Sequence, residues 1–557
     1  MTSAQSTIPI VLGLGGSCHD FSAAIARGTD IRVAIEEERL SRRKHGASWW
    51  YQNPVARSTD YCLKAEALEL GAVDVVVSSE LLPLRAQAAF PSGRLRLYPH
   101  HRCHAESALL VAPPAGRTGV IVYDGMGSIR DRSANRADRE TFSFWLLEDR
   151  KLIQIGETSG TSWIESDMES GSSNSIGHLY DLVTLVLGFG PFEEGKTMGL
   201  AAFGEPSFLP LLERHAHLGG NMDCCFEADP MATGLAHELE AALASSKNSF
   251  QARANLAASI QALIEKVLLH CWSLMAPSNP EVLAVAGGCG LNSVANGRLS
   301  SVLPASVPLI IPPFPGDAGL ALGAIGIWAR ELDERAIMTF FGASDLTAVA
   351  RPGRLYSQAE LDAAVLAAYP RLAEDTAVKG PADIADRIAA GEIVGCFNGR
   401  SEMGPRALGG RSIFASPRHA STRERLNRQI KRREPFRPLA PMVLASRFDA
   451  FFSDPRQADS FMIKVAAVRP ERQADIPAVV HVDGTARVQV IPDEDPFIGA
   501  ILRALEEKTD IPIMINTSFN RRGEPIVETP GDAVDAFLGL GLDGLWLENR
   551  YFFAPGT

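Results

Sequence analysis

Residues 281–299, EVLAVAGGCGLNSVANGRL, and residues 308–329, PLIIPPFPGDAGLALGAIGIWA, decide the fold class. Each opens on a short apolar run suited to a buried strand, breaks at glycine and resumes at helical spacing. Strand, glycine turn and helix in succession are the repeat of an α/β protein. The same grammar stands at the start of the chain, where IPIVLGLGG (8–16) is followed by a polar break at Ser17, Cys18, His19 and Asp20. Two alternating runs, FSAAIAR and IRVAIEEE, flank the turn Gly28, Thr29, Asp30 and predict a hairpin. About 110 residues later GVIVYDGMGS repeats the strand and glycine break, and TFSFWLLED with KLIQIGETS repeats the hairpin. The pattern predicts a duplicated unit. Helical spacing follows each copy, in HHRCHAESALLVA and SIGHLYDLVTLVLGF, and a long amphipathic stretch runs from Gln251 to about Met275. From about Ala336 to Ser357 no period holds, which predicts a linker. Helix and strand patterns then resume in a second domain, giving expected domains of 1–350 and 351–557.

The 557 residues amount to three or four domains at roughly 150 residues each, or fewer large ones. With 46% hydrophobic and 22% charged residues the chain can bury a large core, so a peptide module or disulfide knot is excluded. Its 54 Lys and Arg against 66 Asp and Glu leave a formal charge of −12, which discourages long-range attraction to nucleic acid or anionic membrane. The eight Cys show no CxxC spacing and read as reduced thiols. The N-terminus lacks a basic leader and no apolar run approaches about 18 residues, so the expected location is the cytoplasm.

Against this acidic background, residues 400–437 hold eleven Lys and Arg and three Glu, a local charge of +8 that leaves −20 for the remainder. A solvated face is the plain explanation of a charge run. These cations, however, are interleaved with glycine, proline and apolar residues, so several should point inward, where only an anion or carboxylate answers them. The segment therefore predicts a phosphate pocket, with Arg forks matching phosphate oxygens and Lys supplying a point charge. Arg487 and the polar cluster Asn516, Thr517, Ser518 and Asn520 at a strand end can add donors, although an ordinary turn explains that cluster equally well.

Glycine breaks at Gly13–Gly16, Gly125–Gly127, Gly287–Gly290 and Gly316 with Gly319 are candidate phosphate cradles, each alone being equally a tight turn. His100 and His104 are one helical turn apart and project from one face, as two ligands of a metal or as a capped pair. Asp124 and Asp317 follow strands at glycine breaks, where their carboxylates can complete a nitrogen and oxygen ligand set. Such a set suits Fe2+, Mn2+ or Zn2+. His19, beside Asp20, is either a general base or a loop histidine. Trp49, Trp50 and Tyr51 and the loop from Trp163 to Ser173 are candidate cleft linings, or core aromatics.

HD at 19–20, EEERLSRRKHG near residue 40, HHRCHAESA, DGMGS, EEGKTMGLAAFG, GGCGLNSVANGRL, GDAGLALGA, GPRALGGRS, KRREPFRPLAP, HVDGTARVQ and NTSFNRRGEPIV together resemble the antibiotic O-carbamoyltransferases of the NodU/CmcH family. The resemblance spans nearly the whole chain. It implies an N-terminal duplicated actin-like ATPase domain, ribonuclease H-like in its sheets, and a C-terminal YrdC-like α/β domain. It also implies that carbamoyl phosphate and ATP, with Mg2+, give carbamoyl adenylate in the C-terminal domain. A hydroxyl of a small-molecule natural product then takes the carbamoyl group in the N-terminal domain.

Carried over by motif, the metal ligands fall on His100, His104, Asp124 and Asp317, with Fe2+ the expected ion, and the base falls on His19. The carbamoyl phosphate and ATP site falls on Arg406, Lys431, Arg437, Arg487, Asn516 and Ser518, with Arg406, Lys431 and Arg437 also in catalytic roles. Adenosine contacts fall on Glu194, Lys196, Gly288 and Asn292. The loop GGSCHD is shorter and less acidic than in some relatives, which leaves a further acidic partner of His19 open, and Cys289 and Gly290 stand where small aliphatic residues are common. Threonylcarbamoyl transfer to tRNA, disfavoured by the net charge, and an actin-like assembly ATPase are the competing readings. The acceptor and the oligomeric state are open, a homodimer being one expectation.

Overall fold

The computed structural model describes residues 8–47, 52–91, 93–111, 116–133, 135–165, 168–230, 234–246, 248–342 and 346–555. Trp49, Trp50 and Tyr51 lie outside them. The N-terminal half holds two mixed sheets of one design. In the first, strand Ile10–Gly15 pairs antiparallel with Ser22–Arg27, which pairs antiparallel with Asp30–Glu36, while parallel strands Val75–Ser79 and Leu95–Tyr98 extend the other side. In the second, Thr118–Tyr123 pairs antiparallel with Arg136–Glu148 and that with Lys151–Glu165, and Val282–Ala286 and Leu309–Ile310 add in parallel. The duplication predicted from the repeated strand and glycine patterns is therefore present in the hydrogen bonding. Val282–Ala286 is buried along its length, as a parallel strand covered on both faces must be.

Helices His100–Leu109 and Leu320–Leu332 pack against each other, and the latter also lies on strand Ile10–Gly15. Both contacts depend on missing side chains. A Cβ on Gly13 would stand 2.3 Å from the Ala321 carbonyl oxygen, and one on Gly323 would stand 1.9 Å from that of Cys103. Gly13 and Gly15 thus lie inside a strand, beneath a helix, and not in a phosphate-binding turn. Because the Gly323 contact sets the helix bearing His100 and His104 against the one that follows Asp317, Gly323→Ala should cost about 1–3 kcal/mol and lower bound metal. Thermal unfolding and metal analysis on one preparation check both.

The C-terminal half is built on an eight-stranded sheet whose centre runs Val394–Phe397, Arg411–Ala415, Ile513–Ser518 and Ala440–Leu444. Helices Pro381–Ala389 and Ile498–Thr509 cover one face with Ile384, Ile388, Ile501 and Leu502, and the opposite face buries Phe397, Phe519 and Phe537. The segment expected as a linker is corrected. Thr339–Phe340 pairs with Asp30 and Ile31 on the edge of the first sheet, Leu346–Ala350 is helical, and the Ala34 amide donates to the Pro352 carbonyl at 2.9 Å. Its irregular composition hid edge pairing, which needs no hydrophobic period.

The two halves meet through polar contacts. Arg39 is wholly buried, 2.8 Å from Glu36, and donates to the Gly404 carbonyl at 2.5 Å. Arg42 donates to the carbonyls of Pro525 and Ile526 at 2.9 and 2.7 Å, and the Tyr61 hydroxyl donates to Glu528 at 2.7 Å. All eight cysteines are free thiols. Among the described residues no helix is long and apolar enough to cross a membrane.

Candidate active site

Helix His100–Leu109 presents His100 and His104 from one face toward Asp124, at the end of strand Thr118–Tyr123, and toward Asp317, which leads into helix Leu320–Leu332. Their Nε2 atoms are 3.2 Å apart. His100 Nε2 is 3.3 Å from Asp124 and 3.6 Å from Asp317, and His104 Nε2 is 3.4 and 3.5 Å from the same carboxylates. One donor atom from each of the four residues lies within 4.8 Å of the others. The atoms facing away are occupied: His100 Nδ1 by the Ser79 hydroxyl at 3.1 Å, Asp124 Oδ1 by the Gly288 amide at 2.9 Å, and Asp317 Oδ2 by the Ser17 hydroxyl. His104 Nδ1, by contrast, is buried without a partner among the described residues. Burial opposes an imidazolium at His104, yet its hydrogen bonds to Asp124 and Asp317 lift it to about 9. Two imidazoles and two carboxylates converging on one point, with their ligand atoms oriented from behind, fit a divalent metal. Ser79→Ala should weaken metal affinity about 10- to 100-fold, read by competition with a chelator.

His19 sits on the loop after strand Ile10–Gly15, its Nδ1 3.0 Å from Asp20 Oδ2. The second oxygen of Asp20 is 3.1 Å from Nδ1 of His45, so Asp20 bridges two imidazoles. Both rings lie on Phe192, with centroids 4.6 and 5.0 Å away. Against burial, Cys18 and the Asp20 carboxylate raise His19 well above its ordinary value. Despite burial, His45 and His19 hold Asp20 far below the carboxylate range. His45 was not legible as a site residue, because a lone His in RRKHG has no fixed spacing from His19.

A cavity of about 590 Å³ lies between the halves. The basic run supplies Arg406, Arg423, Lys431, Arg433 and Arg437 to its wall, joined by Lys44, Arg487, Arg521 and Arg522, and only Asp483 and Glu524 oppose them. Met198, Phe203, Phe250 and Phe436 form an apolar side. The buried Nε atoms of Arg406 and Arg487 have no hydrogen-bond partner among the described residues. Burial and the neighbouring Arg437 push Arg406 down to about 10, and burial with Arg437 pushes Arg433 to about 9. Guanidinium groups do not give up protons at neutral pH, so the relief available to this cluster is an anion.

Two expected anion ligands are otherwise engaged. Lys431 Nζ donates to the carbonyls of Ser518 and Asn520 and to Asn520 Oδ1 at 2.6–2.8 Å, which uses all three of its protons. It pins the strand end, while burial and the neighbouring Arg433 and Arg437 push its ammonium well below the usual lysine value. Asn516 Nδ2 donates to the Ala407 carbonyl at 2.7 Å and to Gln489 at 2.8 Å, tying the GPRALGG loop to the sheet. Ser518 Oγ donates to Asn520 Oδ1 at 2.7 Å, and Arg437 stands 4.0 Å from Glu434.

Of the expected adenosine contacts, Gly288 and Glu194 border the His19 and metal region: the Gly288 amide binds Asp124, and Glu194 feels the charges of His19 and His45. Lys196 is paired with Glu193 at 2.5 Å and, across the domain junction, with Glu434 at 3.3 Å. Asn292 is buried, exchanges hydrogen bonds with the Gln261 amide at 3.0 and 3.1 Å and caps helix Ser293–Val302. That side chain is spent on the fold and is not turned to a ligand.

Residues 84–325 match the family model described as carbamoyltransferase N-terminus, and residues 385–553 match carbamoyltransferase C-terminus. An uncharacterized protein of Synechocystis sp. is 32% identical over 97% of this chain and 96% of its own. Nodulation protein NolNO of Sinorhizobium fredii is 30% identical over 95% of this chain and 78% of its own. Among solved structures, full-length HypF in its phosphate- and nucleotide-bound form aligns over 58% of this chain and 56% of its own, at 12% identity and a TM-score of 0.40. With both halves matched in order and full-length relatives at this identity, the chain belongs to the carbamoyltransferase family.

Proposed function

We propose that the chain is an ATP-dependent O-carbamoyltransferase that makes carbamoyl adenylate in its YrdC-like C-terminal half and spends it in its actin-like N-terminal half. The observation that carries this reading is the cation cavity, whose Arg406 and Arg487 have buried Nε atoms with no acceptor among the described residues. A wall of nine Lys and Arg against two carboxylates suits two phosphate-bearing co-substrates. In the first half-reaction water cleaves carbamoyl phosphate to carbamate and phosphate. A carbamate oxygen then attacks the α-phosphorus of ATP, and pyrophosphate leaves.

In the second half-reaction the acceptor hydroxyl oxygen attacks the carbamoyl carbon, the C–O bond to AMP breaks, and Nε2 of His19 takes the hydroxyl proton while Asp20 stabilises the imidazolium. The four-residue centre would hold a divalent metal, Fe2+ by resemblance, which supplies positive charge to the departing phosphate. The acceptor is a hydroxylated small-molecule natural product. Mass spectrometry of reactions containing carbamoyl phosphate, Mg-ATP and a panel of such compounds tests the proposal. The expected products are AMP, pyrophosphate, phosphate and an acceptor heavier by one carbamoyl group. Carbamoylation without cleavage of ATP between its α and β phosphorus atoms would refute it.

A further inference from the structure

We propose that His45 is a positioning residue for His19, acting through the carboxylate the two histidines share. The inference rests on the base role given to His19 above and extends it to a residue to which no site role was given there.

Asp20 is held in left-handed backbone, at φ 49°, a region uncommon for residues with a Cβ but open to aspartate, and its neighbours fix it there. His45 does so from both ends: the Asp20 amide donates to the His45 carbonyl at 2.7 Å, and the His45 Nδ1–H donates to Asp20 Oδ1 at 3.1 Å. His45 is itself left-handed, at φ 61°, and its amide donates to Glu38 Oε2 at 2.7 Å. Phe192 packs on both rings, at 57° to His19 and 29° to His45. One carboxylate accepting from two Nδ1–H groups sets the tautomer that each ring takes once neutral, with Nε2 as its unprotonated atom.

The two histidines are not equivalent. Ser17, two residues before His19, donates to the metal-centre carboxylate of Asp317, which puts His19 on the metal side. His45 adjoins Lys44, a residue of the cation cavity wall, and is tied to Glu38. Loss of the His45 imidazole removes one of the two anchors of Asp20 and lets the His19 ring turn. A misplacement near 1 Å at a reacting group costs about 100-fold in rate, so the expected loss in transfer kcat is about 10- to 100-fold, with little change in KM for the acceptor.

The test compares His45→Gly, which removes the ring without straining the positive φ, with His45→Asn, whose Nδ2 stands where Nδ1 stood and which tolerates that backbone. The full chain is loaded with diamagnetic Zn2+ and labelled with 15N-histidine, and the His19 signal is assigned by its loss in His19→Gln. At a pH above the point where His19 loses its proton, the wild-type protein and His45→Asn should show a single Nδ1–H tautomer at His19 and similar transfer kcat. His45→Gly should show averaged tautomers and the reduced kcat, with carbamoyl adenylate formed at the normal rate. A His45→Gly protein that matches wild type in tautomer or in kcat overturns the inference, as does a His45→Asn protein as impaired as His45→Gly. If His19→Gln itself transfers at the normal rate, the base assignment fails, while the tautomer spectra still judge His45.

Discussion

His19→Ala is expected to form carbamoyl adenylate at the wild-type rate and to lose carbamoyl transfer. The expectation follows from separation in space: His19 sits against Asp20, Phe192 and the field of Asp317, and none of these belongs to the cation cavity wall. An alcohol is a poor nucleophile until its proton begins to leave, and a positioned base contributes about 10² to 10⁴ in rate. The base must be neutral to act. Since the unliganded protein holds His19 well above 6.5, transfer should rise with pH along a limb whose midpoint lies above that value. Single-turnover assays that follow AMP-linked intermediate and carbamoylated product separately decide the matter. Equal loss of both half-reactions would end the division of labour, and a midpoint below pH 5 would take the proton from another group.

Much of the N-terminal architecture was legible because duplication writes the same strand, glycine and hairpin pattern twice, and buried parallel strands leave continuous apolar runs. The metal centre was legible in part: helical spacing places His100 and His104 on one face, but only the close approach at Gly323, the strand end at Asp124 and the turn that carries Asp317 into helix Leu320–Leu332 bring the carboxylates to them. The basic run shows where composition stops. Arg411 is as cationic as Arg406, yet it is wholly buried, donates to the carbonyls of Gly399 and Gly410 and stacks on Phe397 at 3.5 Å. Arg425 is paired with Asp543 at 2.8 Å and Arg428 with Glu424 at 3.3 Å. Charge marks the segment, and long-range partners choose which of its members reach the cavity. The same holds for EEERLSRRKHG, where Arg39 and Arg42 reach across the domain junction to backbone carbonyls that neither periodicity nor charge balance reveals.

Arg487→Met is expected to abolish carbamoyl adenylate formation and at the same time to stabilise the ligand-free protein. Arg487 reaches the cavity beside Arg406, Arg433 and Arg437, and burial and these three charges together depress it well below its ordinary value. No residue described accepts from its buried Nε. Before an anion arrives, this guanidinium is desolvated at Nε and repelled by its neighbours, and an unanswered polar group of this kind costs about 1–3 kcal/mol. Methionine keeps the apolar stem in place and removes the charge, so the melting temperature without ligand should rise by the equivalent amount. Phosphate or pyrophosphate should stabilise wild type through binding to the folded state alone, and stabilise the variant less. Stability gained where activity is lost is the mark of a residue kept for binding and not for folding. A variant that melts lower than wild type without ligand, or that keeps the full phosphate shift and still converts ATP to carbamoyl adenylate, would remove Arg487 from the anion site and leave its buried charge as a feature of the fold.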